Sequence, residues 1–150
     1  MTLKQQLQED LTTAMKARDD IRLSTVRMAL TAVTNEEVSG KQSRDLSDGE
    51  VLKVLARELK KCKEAAQAFS DAGHDDRAAA ELAEAAILEQ YLPEQLSDDD
   101  LTRLVAAAIA QSGVSEAQQL GVVMKVVQPQ VAGRAEGGRI AAEVKRQLAR

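Results

Sequence analysis

Residues 85–97 read A-A-I-L-E-Q-Y-L-P-E-Q-L-S. An apolar run at helical spacing enters this stretch, a proline closes it, and a serine opens another. Leu92 is pushed out of helical geometry by the ring that follows it. Pro93 removes a backbone donor and stops the helix. Ser97 is a good N-cap, and Asp98, Asp99 and Asp100 put negative charge on the positive end of the next helix. Tyr91 and Leu92 place large side chains where two helical units meet. The pattern predicts a joint between an N-terminal helical domain, residues 1–92, and a smaller domain, residues 93–150. A turn inside one bundle would carry the same signals.

Of the 150 residues, 44% are apolar but only 1% aromatic, so the core has to be built from Leu, Val, Ile, Met and Ala. Such cores suit closely packed helices, and sheets would want more aromatic and β-branched residues. The expected fold is all-α, with about four helices followed by a small three-helix bundle. Cys62 is alone and has no disulfide partner within the chain. No apolar run approaches a membrane span. The start, M-T-L-K-Q-Q, lacks the apolar centre of a signal peptide. These features lead to the expectation of a cytoplasmic protein. The net charge of −4 argues against a generic nucleic-acid coat, including a DNA-binding one.

Leu3, Leu7, Leu11, Ala14 and Met15 predict an amphipathic first helix. Asp20 is placed to cap a second, residues 21–39, which is apolar on more than one side and therefore central. Arg22, Ser24 and Arg27 stand among its apolar residues. Arg27 can pair with a carboxylate, or serve as a rigid anion hook. Residues 39–46, S-G-K-Q-S-R-D-L, read as a mobile loop. Ser47 and Glu50 form a capping box opening a third helix that stops at Gly73. Its apolar face includes Val51, Leu55, Leu59, Cys62 and Phe69. Lys53, Arg57, Lys60 and Lys61 fall on the other side, either as a solvated face or as a track for phosphates. Asp75 is placed to cap a fourth helix running through Leu82, Ala86 and Leu88.

Beyond the joint, Leu101, Leu104, Val105, Ala108 and Ile109 predict a fifth helix ended by Gly113. Ser115 is placed to cap a sixth, which Pro129 ends. A glycine-rich loop, residues 131–139, leads to a last helix carrying Ile140, Val144 and Leu148 inward. From Val122 onward there are six Lys or Arg against two acids, in a chain that is negative overall. Glycines that allow close approach, a helix N-terminus and two flanking arginines suit an anion.

Residues for chemistry are scarce. His74 and Cys62 show no triad pattern, and there is no phosphate loop, dinucleotide fingerprint or clustered set of metal ligands. His74 has no His or Cys partner for a metal, and the Asp98–Asp100 run fits electrostatic capping better. No catalytic residue, metal site or cofactor is therefore expected.

Taken in order, Lys16-Ala17-Arg18, Arg22-Leu23-Ser24-Thr25-Val26-Arg27-Met28, the run from Glu89 to Ser97, Gly121-Val122-Val123-Met124-Lys125 and Gly133-Arg134-Ala135-Glu136-Gly137 resemble the YqeY family (GatB/YqeY). These are free-standing relatives of the tail domain of the GatB component of the tRNA-dependent amidotransferase. The resemblance covers nearly the whole chain. It departs from the pattern at His74 and Val122, where members often carry a basic residue, and at Glu136, where Asp is commoner. It implies two helical parts and association with tRNA. The glutamine-dependent carbon–nitrogen ligase label attached to such chains describes the whole amidotransferase, whose amidase and phosphorylating machinery lie outside the tail.

The resulting expectation is a non-catalytic tRNA-interacting module. Arg134, Arg139, Lys125 and Lys145 are the expected phosphate contacts, with Arg22 and Arg27, or the Lys53–Lys61 stripe, as a second patch. With Tyr91 and Phe69 committed to packing, recognition should be of RNA shape and backbone. The alternative is a protein-interaction adaptor that docks on an aminoacyl-tRNA synthetase or amidotransferase.

Overall fold

The computed structural model describes residues 1–149, and Arg150 lies outside the described residues. The described residues form α1 (Leu3–Ala17), α2 (Asp20–Glu37), α3 (Asp48–Asp71), α4 (Asp75–Glu89), α5 (Asp98–Ser112), α6 (Leu120–Val131) and α7 (Gly137–Leu148). A single 3₁₀ turn, Ala117–Gln119, precedes α6, and no strand occurs among them. The chain is all-α. It divides into two compact units, Met1–Leu92 and Pro93–Arg150.

In the first unit α2 is the central helix, packed against α1, α3 and α4. Its buried side is Thr25, Val26, Ala29 and Val33. These small side chains let the neighbouring helices come close. The buried Thr25 hydroxyl donates to the Ile21 carbonyl at 2.7 Å, so no polar group is stranded there. Leu7, Leu55 and Leu88 are fully buried and bring α1, α3 and α4 into the same core.

Two capping boxes set helix starts. Ser47 accepts from the Glu50 N–H and Glu50 reaches back to Ser47, as the spacing predicts. Thr2 and Gln5 do the same for α1. Two expected caps in the first unit differ. Arg18 closes α1 in the left-handed region, which leaves Asp19, not Asp20, as the residue that caps α2 through the Arg22 N–H. His74 occupies the position before α4 without a side-chain cap bond, so Asp75 is already helical and acts through the helix dipole instead. Leu82 is also not inward but 53% exposed. The buried side of α4 is centred on Ala78, Ala85 and Leu88, and that places Glu81, one position earlier, on the inner side.

The segment expected to be a mobile loop is anchored. The Glu37 side chain is buried and accepts both Lys4 Nζ bonds, at 2.8 and 3.0 Å, and the Leu46 N–H at 3.4 Å. The Glu37 carbonyl accepts from the Arg44 N–H at 3.0 Å. One carboxylate thus ties α1, the end of α2 and the approach to α3 together.

In the second unit α5, α6 and α7 pack as a three-helix bundle around Leu101, Val105, Val123, Val127, Ile140 and Val144. Ser97 caps α5 by accepting from the Asp100 N–H at 3.1 Å. Gly113 ends α5 at φ 71°, where a side chain would be strained. Ser115 does not cap α6, because the intervening 3₁₀ turn moves the helix start to Leu120. Pro129 does not end α6 either. The helix continues through it to Val131 without the bond a residue-129 N–H would have made to the Lys125 carbonyl, before Ala132 turns left-handed at φ 50°.

Two stability measurements follow from these contacts. Leu55→Ala should cost about 2–5 kcal/mol in chemical denaturation, the range for emptying a fully buried leucine site. Glu37→Gln tests the anchor by pH. The Lys4 ammonium holds the Glu37 carboxyl below the usual value of 4.5. A depressed folded value contributes stability that is present above the unfolded value and is lost as pH falls through the folded one. Wild type should therefore melt higher than Glu37→Gln at neutral pH, with the gap closing as pH drops below 4.5.

Candidate nucleic-acid interface

In the second unit the two arginines of the glycine-rich loop are committed to main-chain carbonyls. Arg134 Nε donates to the Val131 carbonyl at 3.0 Å, and its Nη2 donates to the Gln130 carbonyl at 2.8 Å. It thereby satisfies carbonyls that α6 leaves open at its end. Arg139 Nη2 donates to the Leu96 carbonyl at 2.7 Å and to Asp98 at 2.9 Å. The Leu96 N–H donates to the Arg134 carbonyl at 2.7 Å, and the Gln95 amide reaches the Gly133 carbonyl at 3.4 Å. The non-helical segment before α5 is thus stitched to the loop before α7.

The positive end of α7 is already faced by an acid. A Cβ added at Gly138 would come within 3.1 Å of Glu136 Oε1, so that carboxylate lies over the first turn. At the other end of α7, Arg146 holds the Glu143 carboxyl down to about 2, and Gln147 also donates to it. Lys125 on α6 and Lys145 in the last turn of α7 are exposed. Neither is held by a carboxylate among the described residues.

In the first unit Arg22 is half-buried, donating to the Gln90 amide oxygen at 3.0 Å and lying 3.6 Å from Asp19. Next to it the Tyr91 hydroxyl donates to Asp10. Burial, and then that carboxylate, push the phenol above its ordinary range. Its polar end fastens α1 to the end of α4. Arg27 is exposed and has no ion-pair partner among the described residues. The stripe on α3 is divided: Arg57 pairs with Glu36 at 3.0 Å and Lys61 with Glu58 at 3.3 Å.

Magnitudes separate these cations. Exposed ion pairs such as Arg57–Glu36 contribute about 0–1 kcal/mol and exchange easily for a phosphate. The charge-assisted bonds from Arg134 to the Val131 carbonyl and from Arg139 to the Leu96 carbonyl are part-buried and contribute about 1.5–3 kcal/mol each. Arg134 and Arg139 are therefore costly to redirect, whereas Lys125, Lys145 and Arg27 are available at no structural cost.

The structure also brings together residues that no spacing in the chain connects. Cys62 of α3 meets Glu81 and Glu84 of α4, with one ligand atom from each within 4.8 Å of the others. Burial, then Glu81 and Glu84, push the Cys62 thiol up to about 12. Burial, then Glu81, raise Glu84 above the usual carboxylate value. The only signal in the sequence is a pair of glutamates one turn apart, on a helix whose spacing points Leu82 inward.

The pattern of a family described as Yqey-like protein matches residues 4–148. Over 86 residues the chain is 30% identical to a protein of Meyerozyma guilliermondii named altered inheritance of mitochondria protein 41, mitochondrial. The match takes in 57% of this chain and 44% of that protein, so the chain spans less than half the length of that relative. No helix among the described residues is long and apolar enough to cross a membrane.

Denaturation of single variants separates fasteners from free cations. Arg139→Gln and Arg134→Gln should each destabilise the protein by about 1–3 kcal/mol. Lys125→Ala and Lys145→Ala should stay within about 0.5 kcal/mol of wild type.

Proposed function

The chain belongs to the YqeY-like family, whose pattern spans residues 4–148, and from that premise we propose that it is a non-catalytic helical module that associates with tRNA in the cytoplasm. The observation that carries the reading is that exposed cations stand free of any carboxylate in each unit, among them Lys125 and Lys145 in the second and Arg27 and Lys53 in the first. In this reading Arg22, Arg134 and Arg139 hold the scaffold and do not grip phosphate. Contact is with backbone and shape, since the Tyr91 hydroxyl is tied to Asp10 and Arg77 lies over the Phe69 ring at 5.8 Å. The ligase activity associated with the amidotransferase belongs to the larger assembly.

Contact through Arg27, Lys125 and Lys145 implies a shallow salt dependence. About three phosphate contacts give a log–log slope of roughly −2 to −3. Binding of purified, unmodified tRNA to the full chain across a salt series should show that slope. The combined Arg27→Glu, Lys125→Glu, Lys145→Glu variant should bind at least tenfold more weakly. A slope near zero, or unchanged affinity in the triple variant, would overturn the reading.

A second reading, a protein-interaction adaptor docking on an aminoacyl-tRNA synthetase or amidotransferase, is favoured by one observation. The arginines best placed for anions are engaged internally, while Met15, Ile21 and Leu82 leave apolar surface open on the first unit. A synthetase or amidotransferase recovered after RNase treatment, with no tRNA bound by the pure chain, would support it.

A further inference from the structure

α3 and α4 form the most extensive helix pair of the first unit. Apolar residues fill most of their contact, with one exception. Glu81 and Glu84 sit on the inner side of α4 with Ala78, Ala85 and Leu88, while apolar Leu82 is turned out to water at 53% exposure. Opposite them on α3 lies Cys62, which is 4% exposed. Its thiol is directed at the glutamates, and its contact with Glu84 Oε2 is long, at 3.9 Å. Glu81 and Glu84 have no Lys or Arg partner among the described residues. Like charges one helical turn apart repel. Half-buried carboxylates are ordinarily matched by a cation or a set of donors, and here the facing thiol offers a single long bond, to Glu84.

We propose that Cys62, Glu81 and Glu84 form a three-point site for a divalent cation, with Zn²⁺ the best match. A soft sulfur with two carboxylates suits Zn²⁺, whereas Mg²⁺ and Ca²⁺ take oxygen donors only. The three ligand atoms lie within 4.8 Å of one another. Tetrahedral Zn²⁺ holds its ligand atoms about 3.5 Å apart. The closure needed is about 1 Å, which glutamate side chains supply by rotation while the helices stay in place. Glu81 and Glu84 are half-exposed, so the fourth position opens to solvent and takes a water. Binding converts the thiol to a thiolate, releasing one proton to solvent per cation, with no change in oxidation state. The cation would then clip α3 to α4. None of the cations assigned to tRNA contact takes part, so the two readings stand or fall separately.

The test uses the full chain, stripped with a chelator and titrated with Zn²⁺ alone. One Zn²⁺ per chain should bind, and the melting temperature should rise with free Zn²⁺. Co²⁺ as an optical probe should show a thiolate charge-transfer band. Glu81→Gln and Glu84→Gln should each weaken binding at least tenfold with an unchanged metal-free circular dichroism spectrum, and Cys62→Ala should remove the Co²⁺ band. Because Cys62→Ala disturbs packing, the glutamate variants decide the matter. Absence of saturable binding, or undiminished binding in the Glu81→Gln, Glu84→Gln double variant, would overturn the site. Loss of binding on His74→Ala with the glutamate variants unaffected would mark an adventitious surface ion and also overturn it.

Discussion

One tyrosine and one phenylalanine in 150 residues leave this protein almost no large rings with which to fill space. Its cores are built from Val, Leu, Ile and Ala, and such side chains reach native density only when helices run close together. That constraint explains the central place of α2, whose buried side of Thr25, Val26, Ala29 and Val33 admits three neighbours. It also explains why the polar groups brought inside are individually fastened. Thr25 bonds its own helix, Glu37 takes Lys4, and Tyr91 takes Asp10.

The same shortage shapes the second unit. A bundle of three helices of 12 to 15 residues has little core to hold its irregular segments. The stretch before α5 carries backbone groups that need partners. Arg139, the Gln95 amide through the Pro93 carbonyl, and the Arg134 carbonyl provide them. A Gly-Arg-Ala-Glu-Gly loop that looks like an anion cradle in one dimension is, in three, a fastening between two non-helical segments. Its phosphate-like site is faced by Glu136 of the same chain.

What was legible in the chain follows from how local each signal is. Capping by Ser47 and Ser97 acts over three residues and was readable, as was the stop at Gly113. The Asp19–Asp20 choice was decided by the left-handed turn at Arg18, which composition does not announce. Helix phase decided Leu82 against Glu81, and an Ala-rich helix gives a weak phase because alanine is tolerated on either side. The role of Arg139 depended on a carbonyl 43 residues away, and Cys62 meets its glutamates only through the pairing of α3 with α4. Charge was easy to count and hard to assign, because a count does not say which cations are already spoken for.

Pro129 has one more effect beyond letting α6 run on to Val131. A prolyl nitrogen carries no hydrogen, so the carbonyl of Lys125, one turn earlier, loses the donor that a helix would have given it. Pro129 and Lys125 are both on the outside of the unit. The outside of α6 therefore presents one backbone acceptor to solvent that the helix itself does not fill.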